Sequence, residues 1–178
     1  MSQLKQNTAD LDALIAKANA LPEKDSEVYD AGYADGYEHG EALLIEGKPA
    51  RIENDVVTSI RQAAFYYGGV GTPTYVSFKN AKTVGAQAFQ NCRSLSEVHL
   101  GSVTSIGKDA FYLCSGLNKL VIRTPSVCTL TNVMTNNKIV TGTGYIYVPA
   151  DLVESYKVAT NWATHASQIR SIDELEEV

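Results

Sequence analysis

The sequence is poor in the residues that would staple, span or catalyse. It holds 3 cysteines, Cys92, Cys114 and Cys128, with no CxxC pair and no Cys/His pair at zinc-finger spacing. So low and odd a count reads as reduced thiols and excludes a disulfide scaffold or zinc module. No apolar run approaches the roughly 20 residues that cross a bilayer as a helix, so no membrane insertion is expected. The first residues, Met1 to Thr8, contain no apolar stretch of signal-peptide type. The expected location is therefore the cytoplasm of the producing cell, or a virus particle released from it by lysis. Neither charge sign dominates: 15 Lys+Arg face 20 Asp+Glu, a net −5. A general nucleic-acid binder needs a basic face that displaces counterions from phosphates, and this balance argues against one. The motifs GxSxG, P-loop and HExxH are missing. His39, His99 and His165 are scattered along the chain. No enzyme, cofactor or metal site is expected from such a set.

What the sequence does have is a period. Val84, Phe89, Cys92, Leu95, Val98 and Leu100 recur at one constant offset as Ile106, Phe111, Cys114, Leu117, Leu120 and Ile122. An earlier copy, Val57-Thr-Ser-Ile60-Arg-Gln-Ala-Ala64-Phe65-Tyr66, matches the stretch from Val103 to Tyr112 at seven of ten positions. A small Gly-rich insertion at 68–73 follows, and register returns at Val76 and Phe78. A worn copy begins at Val127 and has lost the Phe and Cys landmarks. Each unit is too short to bury its own apolar face, so neighbours must stack and share one core. Val98-x-Leu100 and Leu120-x-Ile122 alternate as strands do. Ala88-Phe89 and Ala110-Phe111 follow Gly-containing turns and are expected to form a short helical or irregular segment. Phe fills the core there, and the small cysteine permits close stacking.

The pattern Val-Thr-Ser-Ile-Gly-x-x-Ala-Phe-x-x-Cys-x-x-Leu-x-x-Leu-x-Ile resembles the BspA-type leucine-rich-repeat family over residues 55–172. That resemblance implies a binding protein of a kind found on bacterial surfaces and in phages and prophages. The stretch from Gly144 through Tyr156 to Trp162 looks like the family's closing strand and helical cap. Asp151 is a candidate helix N-cap, and Leu152, Val153, Tyr156 and Trp162 are candidates to cover the last repeat. The expected fold is α+β, a leucine-rich-repeat solenoid at 49–178, capped from about 144. It is expected to hold three to four repeats, each of roughly 22–24 residues, a length within the leucine-rich-repeat range.

Ahead of it, residues 1–48 read as a helical arm. Leu4, Leu11 and Ala18 take heptad position a, and Leu14 and Leu21 take d, with Asn7 the polar exception at d. Gly32, Gly36 and Gly40 then alternate with Tyr29, Tyr33 and Tyr37 at four-residue spacing. Glycine is a poor helix former, so a regular Gly stripe points either to close backbone packing or to a Tyr-rich linker. Leu4, Leu11, Leu14, Ala18, Leu21 and the three glycines are the candidate homo-oligomerisation set. The Tyr-x-x-Gly run is similar to segments ahead of such repeats in phage-encoded proteins.

The candidate ligand surface lies between the buried strand positions. In register, Tyr75, Glu97, Lys119 and Tyr145 form one column; Ser77, His99, Val121 and Tyr147 form a second; Lys79, Gly101 and Arg123 form a third. Exposed strand faces are the usual ligand surface of solenoids, and Tyr and Arg are enriched at binding hot spots. The expected partner is a protein on a virion or host surface, with a glycan as second class. The expected function is thus non-enzymatic: a phage tail or particle-surface component. The alternatives are an intracellular inhibitor or adaptor and a bacterial surface adhesin. The acidic tail Asp173-Glu174-Leu-Glu176-Glu177 is expected to be solvated.

Overall fold

A computed structural model describes residues 51–66 and 73–175. The expected arm, with Leu4, Leu11, Leu14, Ala18, Leu21, Gly32, Gly36 and Gly40, lies outside the described residues.

Each of the first four coils makes one long strand and one short strand, and the last two make a long strand alone. The long strands are β1 (Arg51–Glu53), β3 (Tyr75–Phe78), β5 (Glu97–Leu100), β7 (Lys119–Ile122), β9 (Tyr145–Val148) and β10 (Ile169–Ser171). They join in the order β1-β3-β5-β7-β9-β10. The short strands β2 (Ser59–Ile60), β4 (Thr83–Val84), β6 (Ser105–Ile106) and β8 (Thr129–Leu130) form a second sheet in that order. All pairings are parallel. The alternating landmarks explain this. Val98, Leu100, Leu120 and Ile122 from the long strands and Ile106 from the short ones point inward and are fully buried. A one-residue slip would turn every one of them to water, so the constant period of the landmarks fixes the register.

The Ala-Phe stretches are runs of turns rather than helices. Alternate N–H groups reach sideways to the next coil: Gln87 to the Lys108 carbonyl at 2.8 Å, Phe89 to Ala110 at 2.8 Å and Asn91 to Tyr112 at 2.8 Å. This needs left-handed backbone at repeating positions, and Ala63, Gln87 and Asp109 supply it with φ of 55°, 58° and 58°. Asn91 (66°) and Leu113 (58°) form a second such pair. The coils also press together here. A Cβ on Gly85 would stand 2.4 Å from the Gln62 nitrogen, and one on Gly107 2.5 Å from the Ala86 nitrogen.

The phenylalanines stack as a column within the core. Phe65 and Phe89 lie 4.9 Å apart at 4°, and Phe89 and Phe111 5.5 Å apart at 6°. Each thiol beside them donates to a Phe carbonyl of the preceding coil: Cys92 to Phe65 at 3.0 Å and Cys114 to Phe89 at 2.9 Å. Burial pushes the Cys114 thiol far above its ordinary range and the Cys128 thiol up to about 12. A thiolate is therefore suppressed at both positions.

The worn copy keeps more than its letters suggest. Val127-Cys-Thr-Leu130 supplies β8, and Ile139, one period after Leu117, is fully buried in its turn. Beyond β9 the chain runs through a 3-10 turn (Ala150–Leu152), helix α1 (Val153–Val158) and 3-10 segments at Ala163–Gln168 and Ile172–Leu175, the last two flanking β10. Tyr156 and Trp162 are fully buried. Asp151 is not the N-cap: it sits inside the 3-10 turn opened by Pro149, and α1 starts after Leu152 without a side-chain cap. Pro149, whose φ is already fixed near helical values, takes the cap position two residues before Asp151 and starts the turn there. Asp173 and Glu174 of the acidic tail are exposed, and Glu174 Oε1 accepts the Ser171 N–H at 3.2 Å.

Candidate binding face

The long strands present one outward side chain in every two. Register puts Arg51, Tyr75, Glu97, Lys119 and Tyr145 in one row across β1, β3, β5, β7 and β9. The next row runs Glu53, Ser77, His99, Val121, Tyr147 and Arg170 and reaches β10. Both tyrosines of β9 therefore join the rows expected from spacing. Arg51, Glu53 and Arg170 were missed. Their signal was present but faint: Ile52 stands close to one period before Val76, and Ile169 close to one period after Ile146.

The N-terminal half of this face is tied up with itself. Arg51 Nε donates to Glu53 Oε1 at 2.5 Å while its guanidinium carbon lies 3.4 Å from the Tyr75 ring centre. Lys79 Nζ is 2.9 Å from Asp55 Oδ2. Gly101, in the third column, is a close-approach position: a Cβ there would stand 2.4 Å from the Lys79 carbonyl oxygen.

The middle is an ion-pair knot on Glu97. Its Oε1 receives His99 Nε2 at 2.5 Å and Lys119 Nζ at 3.4 Å. Burial pushes the Glu97 carboxyl up, but the His99 hydrogen bond and the Lys119 charge outweigh it and hold the group below the ordinary carboxylate range. Glu97 is thus an acceptor at neutral pH. The His99 ring also leans on Tyr75, 5.1 Å away at 41°.

Two expected ligand positions are not surface positions. Val121 is 0% exposed and Ser77 7%. Both point outward in register, but each lies between longer side chains on its neighbouring strands: Val121 between His99 and Tyr147, Ser77 between Glu53 and His99. At a strand spacing of about 4.8 Å those chains close over a short residue. Val121 and Ser77 are the floor of the face.

The C-terminal half stays open. Tyr145 is 37% exposed, and its ring lies 6.3 Å from that of Tyr147 at 62°. Arg170 covers one side of Tyr145 at 4.9 Å. Its Nη1 donates to the carbonyls of Ser167 at 2.9 Å and Ile169 at 3.0 Å, which holds the fork in place. Arg123, just past β7, is exposed and has no ion pair among the described residues.

Among the described residues no cluster of His, Cys, Asp and Glu has metal-site geometry, and no helix is long and apolar enough to cross a membrane. Stacked parallel coils with a common inward pattern and an outward strand face define a leucine-rich-repeat solenoid. Residues 52–141 match the family model described as BspA type leucine rich repeat region (6 copies), and the chain belongs to that family. Comparison with curated proteins and with solved structures finds no match. Leucine-rich-repeat domains in general serve protein–protein binding or adhesion.

Proposed function

We propose that this chain is a non-enzymatic binding protein whose partner docks on the outward face of the long-strand sheet. More specifically, we read it as a phage or prophage particle component, attached through its N-terminal arm and presenting the repeats to a host or partner protein. The carrying observation is the row Arg51–Tyr75–Glu97–Lys119–Tyr145, held in one register by five parallel strands. Tyr and Arg are enriched at interface hot spots, and Arg51, Tyr75 and Tyr145 supply them in this row. The particle role is supported by the resemblance of the Tyr-x-x-Gly arm to phage-encoded segments.

Mass spectrometry of purified particles tests the particle role, and light scattering on the isolated chain tests the oligomer. A monomer absent from particles would sink that reading. One stoichiometric cytosolic partner pulled from host lysate would instead favour an inhibitor or adaptor. The binding face is tested separately. Tyr75→Ala and Tyr145→Ala should each abolish capture of the partner, whereas Thr104→Ala on the short-strand side should not. Capture that survives both tyrosine changes would move the interface elsewhere.

A further inference from the structure

The binding face is not uniform along its length, and the difference has a chemical meaning. At the N-terminal end each cation is matched at close range, Arg51 by Glu53 at 2.5 Å and Lys79 by Asp55 at 2.9 Å. At the other end the cations are only loosely ion-paired. Lys119 stands 3.4 Å from a Glu97 oxygen that His99 already occupies at 2.5 Å. Arg170 is 3.9 Å from Glu174 Oε2, the outer limit of an ion pair, and that carboxylate's other oxygen accepts the Ser171 N–H. Arg123 is exposed without an ion pair among the described residues. Register sets Lys119 beside Tyr145 and Arg170 beside Tyr147, and Arg123 follows β7 two residues past the buried Val121.

Resting on the proposed binding face, we infer that its C-terminal half receives an acidic peptide segment of the partner. The Asp or Glu side chains pair with Lys119, Arg123 and Arg170, and the peptide backbone lies across the two tyrosines. Arg170 is the anchor. Its guanidinium is already fixed by two backbone carbonyls and by the Tyr145 ring, so little side-chain entropy remains to be lost on binding. A planar fork suits a carboxylate better than a lysine does. Tyr145 and Tyr147 add apolar area and hydroxyl groups at low entropic cost. A peptide is favoured over a nucleic acid because the chain as a whole carries −5 and repels a long polyanion at range.

The test is fluorescence anisotropy on the full chain with a fluorescein-labelled peptide of alternating Glu and Ser. The matching Lys/Ser peptide and a single-stranded oligothymidine serve as comparisons. Saturable binding is expected for the acidic peptide alone, weakening as salt shortens the Debye length. Arg123→Ala should weaken it by about threefold, the usual scale for one exposed charge contact. Arg170→Ala should cost more than Arg170→Lys, and Thr104→Ala on the short-strand side should leave binding unchanged. Circular dichroism melting establishes that each variant folds. In 15N-labelled protein the amide shifts should centre on Arg123 and β9. Absence of saturable binding, shifts centred on β1 and β3, or tighter binding of oligothymidine would overturn the inference. The outcomes separate from those of the parent reading. A natural partner lost on Tyr75→Ala but not displaced by the acidic peptide would keep the face and remove its acidic ligand. A bound peptide with partner capture untouched by the tyrosine changes would do the reverse.

Discussion

The Tyr156 hydroxyl accepts the backbone N–H of Cys128 at 2.9 Å, although the two residues are 28 apart in the chain. Trp162 Nε1 donates to the Cys128 carbonyl at 2.6 Å, and Asn161 Nδ2 to the Leu130 carbonyl at 2.7 Å. These three side chains take the hydrogen bonds that a further short strand would make to β8. Tyr156→Phe keeps the ring packing and strands a buried N–H, which costs about 1–3 kcal/mol. The melting temperature should fall and the Cys128 amide should exchange faster with solvent. Unchanged exchange at that amide would show that the hydroxyl is dispensable.

Phe89 touches a stacked ring on each side. Phe89→Ala removes the middle of the column and leaves a cavity, a loss of about 3–5 kcal/mol. Phe65→Ala, at the end of the column and only half-buried, should cost distinctly less. Urea denaturation of both variants ranks them, and equal losses would show that the column does not act as a unit.

His165 is 1% exposed and its Nε2 has no hydrogen-bond partner. Burial lowers its pKa below the ordinary 6.5. The unfolded chain then takes up the proton first, so stability is full above pH of about 6.5 and declines as pH falls towards the folded value. Thermal melts from pH 7.5 downward should show this decline, and His165→Phe should flatten it. Glu97 acts in a separate, lower window. Its folded pKa is depressed, so its contribution is present above the ordinary carboxylate range and is lost as pH falls through the depressed value.

Leu113 holds a φ of 58°, a conformation that L side chains other than Asn and Asp seldom take. Its equivalent in the preceding coil is Asn91. Leu113→Asn should therefore relieve about 1 kcal/mol of backbone strain. Differential scanning calorimetry would register a higher melting temperature. A lower one would mean that the partly buried leucine side chain contributes more by packing than its backbone costs.

Iodoacetamide labelling offers a check on the thiols. Burial suppresses thiolate at Cys114 and Cys128, whose pKa rises to about 12 for the latter. Both should label in native protein far more slowly than in urea-unfolded chain. Native labelling at the unfolded rate would place them outside the core.

The rows of the face were legible because Tyr75, Glu97 and Lys119 stand one period apart, and a fixed period in a parallel sheet is a fixed register. The burial of Val121 was not. Its side chain points outward as spacing requires, and only the lengths of His99 and Tyr147 beside it bury it. Asp151 misled for a similar reason: N-cap chemistry favours aspartate, but Pro149 had already committed the chain to a 3-10 turn. β10 escaped because α1 and its flanking turns interrupt the landmark pattern between Ile146 and Ile169. The left-handed positions also gave no signal, since Ala63, Gln87 and Leu113 are not residues chosen for positive φ.

The close seating of Gly85 and Gly107 against the preceding coil has a further consequence. With no room to spread or compress, each coil advances the chain by one strand spacing, about 4.8 Å. The protein is then a ruler with fixed graduations. Duplicating or deleting one whole repeat between Tyr75 and Tyr145 would leave every local contact type intact and change the distance between the two ends of the face by one graduation. Partner choice in such a chain can be retuned by counting coils, without altering any residue that touches the partner.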